Sequence, residues 1–232
     1  SLEQAWELNQ KGRNNIIIGG NLWLKMGRRN IINAIDLSSL GLDKIEEDEG
    51  GFRIGCMATL HDIETHEGLN KEFQNLFKEA VRHIVGVQFR NCATIGGSIF
   101  PKLGFSDVLT AFLACDTQVI LYKKGEVPLR EFIYIPTDND ILTHLYVKKD
   151  GRKTAYESFR MTETDFPTIT CAMAKTQDGF ETVLGARPKH AEVVVDEVVA
   201  DAFSSEEVSD YAKRVIGKLQ YGSNIRGSEE YR

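Results

Sequence analysis

Apolar and polar residues near the start of the chain follow a helical spacing and then a strand-like one. A helix is predicted at the first residues, because Ser1 and Gln4 have the spacing of a capping box. The apolar face of this helix would consist of Leu2, Ala5, Trp6 and Leu8. The apolar run at 16–18 predicts a short buried strand, and the residues at 30–37 predict a second strand.

The middle of the chain alternates predicted strands with predicted helices. Phe52, Ile54 and Cys56 share one side of a strand, and Thr59 then has the position of an N-cap for a short helix. A clear amphipathic helix follows, with an apolar face formed by Phe73, Leu76, Phe77, Ala80, Val81 and Ile84. Ser106 caps a further helix, which leads into a strand at 117–122.

From about residue 141 the pattern becomes one of β-hairpins. Asp150-Gly151 and Asp178-Gly179 each lie between alternating runs, which is a strong hairpin signal. A closing helix begins with a capping box of Ser204 and Glu207. Its apolar positions are Val208, Tyr211, Ala212, Val215, Ile216 and Leu219. The sequence therefore predicts an α+β fold with a boundary near 140–152.

Composition limits the classes of function. Of the 232 residues, 42% are hydrophobic, and the net charge of -6 argues against a nucleic-acid-binding protein. We expect no membrane span and no signal peptide, because no apolar run is long enough and the first residues lack a basic-then-apolar pattern. The four cysteines are too scattered for metal or iron–sulfur spacing, so we expect reduced thiols and a cytoplasmic location.

Two pairs of adjacent glycines are candidate ligand-binding elements. Gly19-Gly20 and Gly96-Gly97 each follow an apolar, strand-like run. Adjacent glycines allow positive φ and close approach of another backbone or a ligand, and free N–H groups there can hold a diphosphate. Two tight turns without a ligand are the alternative reading. Neither pair belongs to a Rossmann or P-loop fingerprint.

Other kinds of chemistry have little support. The sequence has no G-x-S-x-G motif, no H-E-x-x-H motif and no evident pair of carboxylates, so we expect no catalytic side chain and no metal site. Ser106-Asp107 opens a predicted helix. It can serve as a helix cap, as an acceptor for a ribose or adenine group, or as both.

Four motifs, in order, resemble the FAD-binding subunit of xanthine dehydrogenases, carbon monoxide dehydrogenases and related molybdenum hydroxylases. They cover nearly the whole chain. The motifs are Ile18-Gly19-Gly20-Asn21-Leu22, the segment from Ile54 to Glu64, the segment from Arg90 to Ile99, and Arg226-Gly227-Ser228 with Tyr231-Arg232. The third motif is the most specific of them.

The resemblance implies a fold, a cofactor and a set of contact residues. It implies a two-subdomain FAD-binding domain of the PCMH type at 1–148, with a subdomain boundary near 45, and a C-terminal α/β domain with an antiparallel sheet at 149–232. The residues implied to contact FAD are Ile17, Ile18, Gly19, Gly20, Asn21, Leu22, Ile84, Thr94, Ile95, Gly96, Gly97, Ser98, Asp107 and Arg160.

The implied function is electron transfer within a larger enzyme. In the family, a molybdenum subunit oxidises the substrate, iron–sulfur clusters carry the electrons, and FAD passes them to NAD or another acceptor. Ser98 replaces the usual Asn, and the 130–145 region is short where relatives receive the nicotinamide, so the acceptor stays open. A stand-alone FAD oxidoreductase and a flavin-less interaction module are the alternatives.

Overall fold

The computed structural model describes residues 1–198 and 204–232. The helices are α1 (Leu2–Gln10), α2 (Leu60–Thr65), α3 (Glu67–Glu72), α4 (Leu76–Val81), α5 (Val87–Arg90), α6 (Ile95–Ile99), α7 (Asp107–Leu113), α8 (Leu129–Phe132) and α9 (Ser205–Gly217). The strands are β1 (Asn15–Ile18), β2 (Asn33–Asp36), β3 (Ile45–Glu47), β4 (Gly51–Gly55), β5 (Thr117–Leu121), β6 (Gly125–Pro128), β7 (Leu142–Lys148), β8 (Lys153–Phe159), β9 (Ile169–Lys175), β10 (Phe180–Gly185) and β11 (Glu192–Asp196).

The described strands form three sheets. β1 and β2 pair in parallel, β3-β4-β7-β5-β6 form a five-stranded antiparallel sheet, and β11-β10-β9-β8 form a four-stranded antiparallel sheet. The predicted α+β class with a C-terminal antiparallel sheet is confirmed. The division into domains at 148/149 stays a proposal, and it falls between β7 and β8.

The predicted helix starts are correct, because they depend on local chemistry. Capping boxes open α1 at Ser1, α2 at Thr59 and α9 at Ser204. The hydroxyl of Ser106 accepts a hydrogen bond from the N–H of Leu109 at 3.1 Å and caps α7. Each cap satisfies backbone donors that a helix leaves unpaired at its start.

The amphipathic helix predicted around 73–84 forms as α4, but only over Leu76–Val81. Its apolar positions from Phe73 to Val81 are buried as predicted, but Gln74 (φ 46°) and Asn75 (φ 64°) are left-handed and separate α3 from α4. The side chain of Asn70 holds this break, since its Oδ1 accepts from the N–H of Lys78 at 3.1 Å and its Nδ2 donates to the carbonyl of Ile63 at 2.8 Å. Burial therefore followed the apolar spacing, but the left-handed backbone at residues 74 and 75 delays the start of the helix to Leu76.

The hairpin predicted at Asp150-Gly151 is also wrong. Gly151 does turn the chain with φ 73°, but β7 lies between β4 and β5 while β8 pairs with β9 in the other sheet. Local turn chemistry does not determine which strands pair. At Asp178-Gly179 the hairpin forms as predicted between β9 and β10.

Several predicted apolar positions are more exposed than expected. The second strand is limited to Asn33–Asp36, and Ile32 before it is 69% exposed. On α9 only Tyr211 and Val215 are buried, while Val208 and Ile216 lie at the surface. The main core instead forms where α2, α4 and α7 pack between the sheets, around Phe77 and Phe112, whose ring centroids lie 4.6 Å apart.

Candidate functional site

The first glycine pair lies in the loop after β1. Neither glycine has a positive φ, and Asn21 is the left-handed residue of the loop, with φ 56°. Asparagine tolerates this conformation better than most side chains. The glycines are required for close approach, because a Cβ on Gly20 would overlap the carbonyl oxygen of Cys92 and one on Gly19 would overlap Oγ1 of Thr94. The loop therefore rests directly on the segment that carries the second pair.

The second glycine pair is helical, and the prediction of a strand followed by a glycine turn is wrong there. Thr94 is the N-cap of α6, and its Oγ1 accepts from the N–H of Gly97 at 3.2 Å. The N–H of Gly96 donates to the carbonyl of Cys56 at 2.8 Å, and a Cβ on Gly96 would lie 2.9 Å from that oxygen. Gly97 is exposed and presents bare backbone at the surface.

The two elements differ in the donors that they offer. The N–H groups of residues 95–98 all donate within the chain, to Ala58, Cys56 and Thr94. Within the described ranges, by contrast, the N–H groups of Gly20, Asn21 and Leu22 form no hydrogen bond. A run of unpaired backbone donors beside a left-handed residue is suited to an anion such as a diphosphate. Only the first loop thus has the free N–H groups expected from the sequence.

Asp107 and Arg160 form a buried ion pair. A guanidinium nitrogen of Arg160 donates to Oδ1 of Asp107, and the hydroxyl of Tyr156 donates to the same oxygen at 2.5 Å. Burial raises the pKa of Asp107 above its usual value, even though Arg160 and Tyr156 favour the ionised carboxylate. Arg160 also donates to the carbonyl of Asp165 at 2.6 Å. The group joins the start of α7 to the end of β8.

Ile84 connects to the site through Arg90, which is 6% exposed. Arg90 forms two hydrogen bonds with the carboxylate of Glu64, at 2.8 and 2.9 Å, and donates to the carbonyl of Ile84 at 3.3 Å. His61 is 3.1 Å from the same carboxylate. Because α5 ends at Arg90 and Cys92 follows it, this cluster holds the segment on which Gly20 rests.

A cleft of about 570 Å³ is lined by Trp23, which follows the first glycine loop in the chain, and by residues 102–105, which follow α6. Trp23, two residues after Asn21, stacks on Phe166 with ring centroids 5.7 Å apart, and Phe105 lies 4.8 Å from Phe166. The cationic residues in its lining are Lys102, Lys189 and Arg226. No carboxylate of residues 1–198 or 204–232 lines it. The cleft combines flat apolar surfaces with positive charge.

Hydrogen bonds and close contacts connect most of the predicted residues. Gly19 and Gly20 pack on 92–94, and the hydroxyl of Ser106 donates to the carbonyl of Ser98 at 3.3 Å, immediately before Asp107. Sequence reasoning missed Tyr156, although its alternation with exposed neighbours on β8 indicates an inward-facing side chain. That the residues predicted from the sequence contact FAD stays a prediction.

Two absences hold for the described residues. They contain no group of three or more His, Cys, Asp or Glu side chains that could hold a metal ion. None of their helices has both the length and the apolar character needed to cross a membrane.

The fold matches solved molybdenum enzymes. A chain of the carbon monoxide dehydrogenase from Hydrogenophaga pseudoflava superposes with a TM-score of 0.86 at 22% identity, covering 100% of this chain and 88% of that one. The architecture is therefore the PCMH-type fold of FAD-binding subunits.

Sequence comparisons give the family. The model for the FAD binding domain in molybdopterin dehydrogenase matches residues 1–147. The glyceraldehyde dehydrogenase medium chain of Sulfolobus acidocaldarius is 25% identical over 237 residues, covering 93% of this chain and 84% of the relative. The aldehyde oxidoreductase FAD-binding subunit PaoB of Escherichia coli is 37% identical over 71 residues, covering 30% of this chain and 22% of the relative. The chain belongs to the molybdopterin dehydrogenase FAD-binding family, and its cofactor is FAD.

Proposed function

We propose that this chain is the electron-transfer subunit of a molybdenum hydroxylase. It would accept electrons from the clusters of an iron–sulfur subunit, while a molybdenum cofactor subunit oxidises the substrate. The family membership supports this role, and so do the names of two relatives, a medium chain and a FAD-binding subunit. We further propose a cytoplasmic location, which the four unpaired cysteines support.

The single observation that carries the proposal is the contrast between the two glycine elements. The unpaired N–H groups of Gly20, Asn21 and Leu22 would hold the diphosphate of FAD. The bare backbone of Gly97 would let the cofactor pass close to α6. A side chain on Gly20 would separate the two elements, because it would displace the carbonyl of Cys92.

The remaining predicted residues would surround the cofactor. Asp107 and Arg160 would border it from α7 and β8, and Ile84 would add an apolar contact. When bound, FAD supplies the redox chemistry, and the protein positions and shields it. We assign no acid–base residue of this chain to the reaction.

The cleft lined by Trp23 and Phe166 suits an anionic, partly aromatic electron acceptor. Trp23 offers a flat surface for a planar ring, and Lys189 offers positive charge for phosphates. The guanidinium of Arg226 is already paired with Asp165 at 2.9 Å and lies over the ring of Phe166. NAD has this chemistry, and we propose it as the acceptor.

The first experiment is a visible absorption spectrum of the purified full chain after incubation with FAD and desalting. The wild-type protein should retain a two-banded flavin spectrum, and Gly20→Ala should lose it. Gly12→Ala is the control, because a Cβ at Gly12 meets nothing within 4 Å. A wild-type protein that stays colourless would contradict FAD binding by this chain alone.

A second experiment addresses the electron path. The flavin-loaded chain is reduced under anaerobic conditions and mixed with NAD, and reoxidation of the flavin is followed by absorbance. Fast reoxidation supports NAD as the acceptor, whereas no reoxidation contradicts it. Turnover of aldehydes or purines by the isolated chain would favour a stand-alone oxidoreductase over a subunit.

A further inference from the structure

Tyr156 is a buried tyrosine whose hydroxyl is committed to one carboxylate. It is 7% exposed, and it shares Oδ1 of Asp107 with Arg160. Tyr156 and Arg160 both belong to the β8 region, whereas Asp107 opens α7. The tyrosine therefore helps to hold the carboxyl group of Asp107, at the start of α7, against the guanidinium of Arg160, which follows β8.

A short path leads from this carboxylate to the second glycine element. Ser106, the neighbour of Asp107, caps α7 and donates to the carbonyl of Ser98, the residue after Gly97. A shift of Asp107 thus moves the hydroxyl that contacts the end of the glycine pair. Charge-assisted hydrogen bonds to a buried carboxylate are strong, so losing one of them should loosen this path.

We propose that Tyr156 is a positioning residue for FAD, which fixes the carboxyl group of Asp107 and, through Ser106, the glycine pair of α6. The inference rests on the proposed function. Tyr156 acts through Asp107 and is not assigned a contact with the cofactor.

The test compares Tyr156→Phe with Tyr211→Phe in the full chain. Tyr211 is a matched control, because it is also 7% exposed and its hydroxyl lies 2.6 Å from Oγ1 of Thr182, in a separate cluster with Leu184 and Val194. Both variants lose a buried hydroxyl, so both should lower the melting temperature. FAD affinity is measured by quenching of flavin fluorescence, and we expect a loss of about tenfold in Tyr156→Phe alone, the size of one charge-assisted hydrogen bond.

The pH profile of FAD affinity is the second readout. The groups that face Asp107 are Arg160 and Tyr156, and Ser158 and Asp165 contact Arg160 in turn. Because the Tyr156 hydroxyl favours the carboxylate, its removal raises the pKa of Asp107. As the pH falls, the affinity of Tyr156→Phe for FAD should therefore begin to decline at a higher pH than the affinity of the wild type. The profile of Tyr211→Phe should coincide with that of the wild type.

The outcomes separate this inference from the proposed function. If the wild type binds FAD and both variants keep its affinity and pH profile, the positioning role is wrong while FAD binding stands. Equal losses of affinity in both variants would mean a general effect of stability and would also overturn the role. A wild type that binds no FAD would overturn the proposed function itself.

Discussion

Gly97→Ala should weaken FAD binding while leaving the fold nearly unchanged. Gly97 is exposed in α6, and a Cβ there would meet only Oγ1 of Thr94, at 3.1 Å. Alanine within a helix gains about 1 kcal/mol over glycine, and the tight contact with Thr94 offsets part of this gain. The free energy of unfolding of the FAD-free protein should therefore change by at most about 1 kcal/mol, or about 2–4 °C in melting temperature.

The effect on the cofactor should be much larger. A ligand that passes close to bare backbone meets the new methyl group, and overpacking of this kind costs about 1–3 kcal/mol. This corresponds to a loss of about 5- to 150-fold in affinity. Titration of flavin fluorescence gives the affinity, and thermal unfolding without FAD gives the stability. Unchanged affinity in a stably folded Gly97→Ala protein would refute the role of α6 in the site.

Other changes have effects that stability measurements can check. Arg90→Met leaves the carboxylate of Glu64 without its buried partner, so urea unfolding should show a loss of about 3–5 kcal/mol. Partial burial acts to raise the pKa of Glu64, but hydrogen bonds from Arg90 and His61 hold this pKa below its usual value. The contribution of Glu64 to the free energy of unfolding is therefore present above the unfolded pKa of about 4.3 and is lost as the pH falls through the lowered pKa. Glu64→Gln should accordingly flatten the acid limb of the plot of stability against pH. Phe77→Ala removes a fully buried ring and should cost about 3–5 kcal/mol, whereas the half-exposed Phe159→Ala should cost far less. Asn75→Val should lose about 1–2 kcal/mol by forcing a β-branched residue into the left-handed region, and Asn75→Gly should not.

The sequence determined those parts of the fold that depend on neighbouring residues. The caps at Ser1, Thr59, Ser106 and Ser204 each involve residues three positions apart, so their spacing is visible in the sequence. Strand pairing depends on distant residues, and the pairing of β7 was therefore wrong although its turn was located correctly. The break at Gln74-Asn75 was missed because the side chain of Asn70 holds it through bonds to Ile63 and Lys78, which follow no capping spacing.

The site was predictable to a similar extent. Both glycine pairs were found, and close approach of another backbone was among the expected reasons for them. The approaching residues, Cys92 and Cys56, could not be named from the sequence, since these are tertiary contacts. Asp107 and Arg160 were chosen separately, by resemblance. Their ion pair joins residues more than fifty positions apart, and it could not be derived from local spacing.

The contact between Gly20 and the carbonyl of Cys92 provides a natural attachment point for a reporter group. Cys92 is exposed, whereas burial raises the pKa of the Cys56 thiol to about 12 and that of Cys171 to about 11, and Cys115 is fully enclosed. Because the thiolate is the reactive form, a maleimide dye should label Cys92 selectively in the unaltered protein. The dye would then lie beside the first glycine loop, and its emission would follow cofactor entry in real time.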